Sequence, residues 1–288
     1  MIQIERLKRI FFDFISGAIA WILFFSYRKV IIENSKFEIS ETLIYGTCVV
    51  ALFWVLIYAF SGNYYEVRRV SRLNELHRTF IQSILGSILI FFFLIIDDIE
   101  HYKNYKFYYH SITILMALQF SITFLSRYII TSHMVKKIQN RKIHFSTILI
   151  GDAKSIMNTF NLIENMPKSM GNKFIGYINT DNNQTIENLN LDNLGTIESL
   201  EEIIKNRNIE EAIVTFENNN THNTSIIMHA LAYYNIMTKV TPNLTDVFLG
   251  KIKPQSFFNI SLIEIPKIKM PMFQYFVKRL IDICASIV

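Results

Sequence analysis

The chain has 288 residues, of which 51% are hydrophobic and 14% aromatic, a composition typical of membrane proteins. Its formal net charge of +5 comes from the first half, because residues 1–146 carry 17 Lys and Arg against 10 Asp and Glu. Two isolated cysteines, Cys48 and Cys284, exclude a disulfide framework, and a basic excess in short loops indicates membrane topology rather than nucleic-acid binding.

Four apolar segments occupy most of the first half. They are Ile10–Phe25, Thr42–Phe60, Phe80–Ile96 and Ser111–Ile130. A hydrocarbon core of about 30 Å needs roughly 20 apolar residues in a helix, so each segment predicts a transmembrane helix. No small-residue cleavage site ends the first segment, and we therefore expect an uncleaved anchor.

The loops predict the orientation of these helices. Eleven basic residues lie at the N-terminal end, in the second loop and after the fourth helix: Arg6, Lys8, Arg9, Arg68, Arg69, Arg72, Arg78, Lys136, Lys137, Arg141 and Lys142. The first and third loops hold only five, and acidic residues offset them. The positive-inside rule therefore predicts that both termini face the cytoplasm.

Two ionisable residues lie within the predicted spans. Asp13 is near the cytoplasmic end of the first helix, and Arg127 is near the cytoplasmic end of the fourth. Their matched depth allows a pair, and an intramembrane charge is a candidate functional residue. The interpretation that the sequence favours is that each side chain reaches separately to the nearby membrane surface.

After Phe145 short β-rich runs alternate with amphipathic segments. The predicted strands are Thr147–Ile150, Phe174–Ile178, Ala212–Phe216 and Ile236–Val240. Helices of about ten residues between them predict βαβ units and a parallel sheet. We therefore expect a four-helix transmembrane region at 1–146 and a small Rossmann-like α/β domain at 147–250.

The candidate ligand site is the first strand-to-helix turn. It comprises Gly151, Asp152, Ala153, Lys154 and Ser155. A helix N-terminus attracts phosphate, and glycines let the phosphate approach the backbone. Ala153 and Ile156 stand where a dinucleotide fingerprint has its second and third glycines, and Asp152 adds a negative charge that Lys154 partly offsets. Two interpretations stay open: a turn that only connects strand and helix, or a site for a nucleotide or nucleotide-sugar.

The charge of the second half changes along the chain. Residues 147–238 carry 5 basic and 11 acidic side chains, which excludes nucleic-acid binding driven by charge. Residues 251–288 mix basic and aromatic side chains, a combination suited to a membrane interface. A tail that folds over the α/β core is the alternative.

Three groups of residues together resemble a known family. They are Lys8–Phe14 with Trp21 and Tyr27–Lys29; Ile148–Gly151 with Gly176–Ile178 and Leu194–Thr196; and Ile263–Ile265 with Met270–Met272 and Val277–Ile283. The arrangement is similar to that of the large polyprenyl-phosphate sugar phosphotransferases of bacteria, which initiate exopolysaccharide and O-antigen synthesis. The third group carries the most specific similarity.

The resemblance implies four transmembrane helices, a degenerate Rossmann-like CoA-binding domain and a catalytic domain. In the family, a Lys-Arg pair before an apolar run containing Asp, here Lys278–Asp282, opens a re-entrant membrane helix of the catalytic domain. Only nine residues follow Arg279, so we expect 251–288 to be a linker and the start of that helix. The family's catalytic carboxylates and magnesium site are then absent from this chain, which leaves no catalytic residue, metal ligand or cofactor to assign.

The resemblance also implies a location in the bacterial inner membrane and a homodimer. Intact members transfer sugar-1-phosphate from a nucleotide-sugar to undecaprenyl phosphate, and we expect this chain to be their anchoring and regulatory part, with the lipid bilayer as its partner. A stand-alone membrane-bound nucleotide-sugar sensor or scaffold is the alternative. A nucleotide-sugar dehydratase is a third reading, but its Tyr-x-x-x-Lys pair would have to be Tyr102 and Lys106, which precede the Rossmann unit.

Overall fold

A computed structural model of the protein describes residues 2–32, 35–65, 67–95, 106–180, 186, 189–215, 221–241, 262–265, 278, 282 and 286. The chain divides into two compact units, the first reaching to Val135 and the second comprising Lys136–Lys269. The domain limits 1–146, 147–250 and 251–288 stay predictions.

Long helices form the first unit. They are α1 Ile2–Tyr27, α2 Glu41–Phe60, α3 Arg72–Ile90 and α4 Lys106–Gln139, with single π-helical turns at Arg28–Ile32 and Phe91–Ile95. The 34 residues of α4 span about 51 Å at 1.5 Å per residue. All four helices are long and apolar enough to cross a membrane, as the sequence predicts.

The third helix begins earlier than its apolar run. Ser71 caps α3 by accepting a hydrogen bond at Oγ from the backbone N–H of Asn74 at 3.1 Å. The cap makes the first two polar turns helical, whereas the predicted start at Phe80 followed hydrophobicity alone. Arg72 and Arg78, which the sequence places in a loop, therefore lie in α3.

An aromatic cluster packs the interior of the first unit. Trp54 of α2 is fully buried, and its ring stacks on Tyr58 with 5.8 Å between centroids. Gly86 of α3 makes room for it, because a Cβ there would come within 2.2 Å of the Trp54 ring. Other buried members are Trp21, Phe24, Val50, Tyr64, Ile90 and Leu115.

The second unit contains a six-stranded sheet. Its strands are β1 Phe145–Gly151, β2 Asn172–Asn179, β3 Asn193–Gly195, β4 Glu211–Thr215, β5 Met237–Val240 and β6 Ile263–Ile265. The order is β3-β2-β1-β4-β5-β6, with every pairing parallel except the antiparallel pairing of β6 with β5. The sheet is thus mixed and mostly parallel, with the strand order of doubly wound Rossmann folds.

Three helices pack against the sheet: α5 Ala153–Glu164, α6 Leu200–Asn206 and α7 Thr221–Tyr233. Successive residues of β1 bury on opposite faces, because Ile148 and Ile150 join one apolar cluster while Leu149 joins another with Ile156 and Ile163. Burial on both faces explains the continuous apolar run of this strand. The Asn-rich stretch Asn179–Leu194 has the composition of a surface loop and lies partly outside the described residues. Its first residue belongs to β2 and its last two to β3.

Candidate functional site

The predicted turn at Gly151–Ser155 lies where β1 meets α5. Asp152 is the N-cap of α5, and its Oδ2 accepts a hydrogen bond from the backbone N–H of Ser155 at 3.1 Å. That N–H is one of the free donors through which a helix N-terminus holds a phosphate. A carboxylate of the protein therefore already occupies one position that a phosphate oxygen would take.

Gly151 has a structural reason to be glycine. It ends β1 opposite Thr215, the last residue of β4, and a Cβ at Gly151 would lie 1.7 Å from the Thr215 carbonyl oxygen. The glycine thus permits a close approach of two strand ends at the point where the strand order reverses, which is where Rossmann folds bind ligands. Residues 216–220 after β4 lie outside the described residues. Ligand binding at Gly151–Ser155 stays a prediction.

A second candidate site lies inside the first unit, where Asp13 and Arg127 pair. Nε of Arg127 donates to Oδ1 of Asp13 at 2.8 Å, and Nη2 donates to Oδ2 at 2.9 Å. Both side chains are fully buried. The pairing interpretation of these two residues is the one that the structure supports, and the geometry is the two-pronged arrangement that makes Arg–carboxylate pairs strong.

A second ion pair lies beside the first. Arg9 of α1 contacts the carboxylate of Glu75 on α3, and both side chains are about 2–3% exposed. Nη1 of Arg127 also lies 3.6 Å from Glu75 Oε1, which joins the two pairs. The four groups carry two positive and two negative formal charges, so the set as a whole is neutral.

Neutral polar side chains add further hydrogen bonds to Arg127 and Asp13. Arg127 Nη1 donates to Thr79 Oγ1 at 3.1 Å, and the Tyr64 hydroxyl donates to Asp13 Oδ2 at 2.9 Å. Burial, reinforced by the charge of Asp13, raises the pKa of the Tyr64 phenol, which therefore stays protonated as a donor. The Arg127 guanidinium lies 4.0 Å above the centre of the Tyr58 ring, a cation–π contact. We call Arg9, Asp13, Glu75 and Arg127, with these partners, the buried charge network.

Helical periodicity brings the network together. Arg9 and Asp13 are four residues apart on α1, Glu75 and Thr79 four apart on α3, and Thr123, Arg127 and Thr131 recur every fourth residue on α4. Residues at this spacing share one helix face. From the sequence, Arg9 counts as a flanking topology charge and Glu75 attracts no notice, although the polar stripe at period four is a signal for both.

The remaining residues that the sequence analysis names belong to neither candidate site. Ile263–Ile265 forms β6, while Met270–Met272, Tyr102 and most of Val277–Ile283 lie outside the described residues. Within the described part of the chain, no group of three or more His, Cys, Asp or Glu side chains is arranged to hold a metal ion.

No protein-family model and no curated protein matches this chain. Among solved structures, it is similar to UDP-D-quinovosamine 4-dehydrogenase from Vibrio fischeri at 19% sequence identity, covering 45% of this chain and 98% of that one, with a TM-score of 0.31. A similarity of this size supports no inference about function.

Proposed function

We propose that this chain is the membrane-anchoring and regulatory portion of a polyprenyl-phosphate sugar phosphotransferase that initiates exopolysaccharide or O-antigen synthesis. The three groups of residues that resemble this family support the proposal, together with the order of four apolar helices followed by a Rossmann-like unit. In this role the chain holds the enzyme in the bacterial inner membrane and adjusts its activity.

The observation that carries the anchoring role is the buried charge network. Each of its four charged groups has an oppositely charged partner within the bundle, and Asp13 accepts from both Arg127 and Tyr64. A transport pathway needs polar groups that exchange partners with a solute or a proton, whereas charges that are paired with one another hold helices in one arrangement. This favours a rigid anchor over a transporter.

The α/β unit supports a regulatory rather than an oxidoreductase role. Its sheet has the Rossmann strand order, but Ala153 and Ile156 replace two glycines of the dinucleotide fingerprint, and Asp152 occupies the helix N-terminus. A dinucleotide pyrophosphate needs both the close backbone approach and the free N–H groups. A domain that keeps the fold without these features suits ligand sensing or contact with a partner domain.

The proposed topology has both termini in the cytoplasm, as the basic loops predict. A fluorescent protein that folds only in the cytoplasm, fused after Val288, should fluoresce, and alkaline phosphatase at the same site should be inactive. The opposite pair of results would overturn the orientation and the family assignment together.

Activity measurements test the proposed role. The full chain in nanodiscs should sediment with lipid, and it should release no nucleoside monophosphate when supplied with nucleotide-sugars, undecaprenyl phosphate and Mg²⁺. When co-expressed with a catalytic domain of this family from the same genome, it should retain that domain at the membrane and change its turnover. The proposal would be contradicted if the chain alone released nucleoside monophosphate, or if its presence changed neither the membrane retention nor the turnover of the catalytic domain.

The coding DNA after codon 288 separates the proposal from a stand-alone sensor or scaffold. A reading frame that continues into transferase motifs, or an adjacent gene that encodes them, supports the anchoring role. A stop codon with no transferase gene nearby favours the sensor.

A further inference from the structure

A pocket of about 440 Å³ opens at the amino ends of β1 and β2. Four segments form it: the turn after α4, the last two turns of α5, the residues from Ser169 to the start of β2, and Leu191 before β3. Its lining includes Arg141, His144, Phe160, Asn172, Lys173 and Phe174. Because β1 is seven residues long, roughly 20 Å separate this pocket from the turn at Gly151. It is therefore distinct from the site that the sequence predicts.

The charged groups of the pocket favour an anion. Arg141 and Lys173 supply two positive charges against the single carboxylate of Glu164, and the exposed ring of His144 lies among them. Lys173 is exposed and forms no ion pair with any residue that the structure describes. Residues 147–238 are acidic in sum, so a basic pocket here is a local exception rather than a property of the surface.

Arg141 is held at the pocket against a backbone preference. It has φ +57°, and the N–H of Lys142 bonds to the carbonyl of Lys137 at 2.9 Å, so Arg141 stands at the left-handed position that ends a helix in a Schellman motif. Glycine is the usual residue there because other side chains pay a conformational cost. The Arg141 guanidinium contacts the Glu164 carboxylate and donates from Nη2 to the Glu164 carbonyl at 3.2 Å, which fixes its place on the rim.

The apolar part of the pocket is aromatic. The rings of Phe160 and Phe174 are half-buried and meet edge to face, with centroids 5.4 Å apart and an angle of 62° between their planes. Leu191 lies beside them. Two phenyl rings at this angle give a flat ligand ring one face and one edge to pack against.

One side-chain oxygen of the pocket wall, Asn172 Oδ1, has no hydrogen-bond partner among the described residues. The Asn172 amide donates from Nδ2 to Thr147 Oγ1 at 3.1 Å and to Glu211 Oε1 at 2.8 Å, which fixes its orientation. Its Oδ1 is buried and accepts from no donor in the described part of the chain. Buried acceptors are nearly always satisfied, so this unpaired oxygen is an exception beside the pocket.

We propose that this pocket binds a nucleoside phosphate. The phosphate lies between Arg141 and Lys173, and the base packs on Phe160 and Phe174. The volume is within the range of roughly 300–1,000 Å³ that is usual for small-molecule sites. The site is independent of the proposed role in glycan initiation.

Calorimetric titration of the full chain in detergent micelles tests the site with four probes: AMP, UMP, inorganic phosphate and the short-chain lipid dioctanoyl phosphatidic acid. We expect at least one mononucleotide to bind about tenfold or more tightly than phosphate, because the aromatic rings add apolar contact. Phosphatidic acid, a source of the same phosphate chemistry without a base, should bind no more tightly than inorganic phosphate.

Substitutions locate the binding. Lys173→Gln should weaken mononucleotide binding about fivefold, as loss of a solvent-exposed ionic contact predicts. Phe174→Leu should weaken it, and Phe174→Tyr, which keeps the ring, should not. Lys154→Gln tests the other candidate site, the turn at Gly151, and should leave affinity unchanged if the ligand binds in this pocket. Lys205→Gln, which removes an exposed lysine of α6 outside both sites, is the matched control and should also leave affinity unchanged.

Four results would overturn the proposal. Neither mononucleotide gives heat; phosphatidic acid binds more tightly than inorganic phosphate; inorganic phosphate binds as tightly as the mononucleotides; or Lys154→Gln lowers mononucleotide affinity as much as Lys173→Gln does. Unchanged melting temperatures of the exposed lysine variants establish that any loss arises at the site.

Discussion

The guanidinium of Arg127 and the carboxylate of Asp13, 114 residues apart in the chain, join α4 to α1 through two hydrogen bonds in the interior of the bundle. Removing one partner from a buried pair leaves a charge without compensation, at a cost of about 3–5 kcal/mol. We therefore expect Arg127→Leu to lower the free energy of unfolding by that amount, measured by titration of detergent-solubilised protein with dodecyl sulfate.

The double variant Asp13→Leu with Arg127→Leu should be more stable than Arg127→Leu alone, because no isolated carboxylate remains. Lys8→Leu, which removes a 55% exposed charge from the same helix as Asp13, is the control and should change stability by less than about 0.5 kcal/mol. An Arg127→Leu variant as stable as the control would show that the pair contributes nothing to the bundle.

Gly86 offers a test of the packing between α2 and α3. Gly86→Ala places a methyl group 2.2 Å from the Trp54 ring, and because Trp54 stacks on Tyr58 beneath Arg127, the ring has little freedom to move. We expect a loss of about 1–3 kcal/mol, as overpacking predicts. The same dodecyl sulfate titration provides the measurement.

Gly46→Ala is the matched control for Gly86→Ala. Among the described residues, its Cβ would meet only Trp21 Nε1, at 3.4 Å, and alanine is the better helix former. Stability should stay the same or rise. Equal losses for both variants would refute the packing account.

Asp152 separates the two interpretations of the strand-to-helix turn. Asp152→Asn keeps the cap of α5 and should leave the melting temperature unchanged, whereas Asp152→Ala should cost about 1 kcal/mol. If a phosphate binds at this turn, Asp152→Asn must also raise its affinity, since a negative charge is removed beside it. If calorimetry finds that Asp152→Asn does not change the affinity for a phosphate ligand, the turn only connects β1 to α5.

Arg141 tests the left-handed end of α4. Arg141→Gly and Arg141→Ala both lose the contact with Glu164, but only glycine relaxes the backbone at φ +57°. The glycine variant should therefore be more stable than the alanine variant by about 1 kcal/mol, measured by thermal unfolding.

Lys142 is the control for Arg141, since it is the next residue and lies outside the left-handed region. There glycine should be no more stable than alanine. If glycine were more stable than alanine by a similar amount at both positions, the difference at Arg141 would not come from the Schellman turn.

The sequence predicted the four apolar helices and the alternating strands of the α/β unit because long hydrophobic runs and buried parallel strands leave strong local patterns. It predicted the depth of Asp13 and Arg127, but the choice between pairing and separate surface contacts needed the relative rotation of α1 and α4. Helix rotation depends on tertiary packing, such as Trp54 against Gly86, which no local window contains.

The structural features that the sequence did not predict have equally specific causes. Glu75 lies in two polar turns of α3 that a hydrophobic window excludes, although Ser71 marks the helix start. Strands β3 and β6 have three residues each, too short for a period-two pattern, and the antiparallel pairing of β6 with β5 departs from the parallel sheet that βαβ alternation predicts. The pocket at Arg141 and Lys173 joins residues from four segments, so their spacing along the chain gives no sign of it.

The positions of Arg9 and Asp13 have a consequence for biogenesis. Ribosomal synthesis delivers α1 to the membrane before α3 and α4, and on a helix these two residues, one turn apart, are neighbours. A nascent α1 can thus neutralise its own two charges until Glu75 and Arg127 arrive. Assembly then exchanges one provisional ion pair within a helix for two lasting ones between helices, so neither charge needs to enter lipid alone.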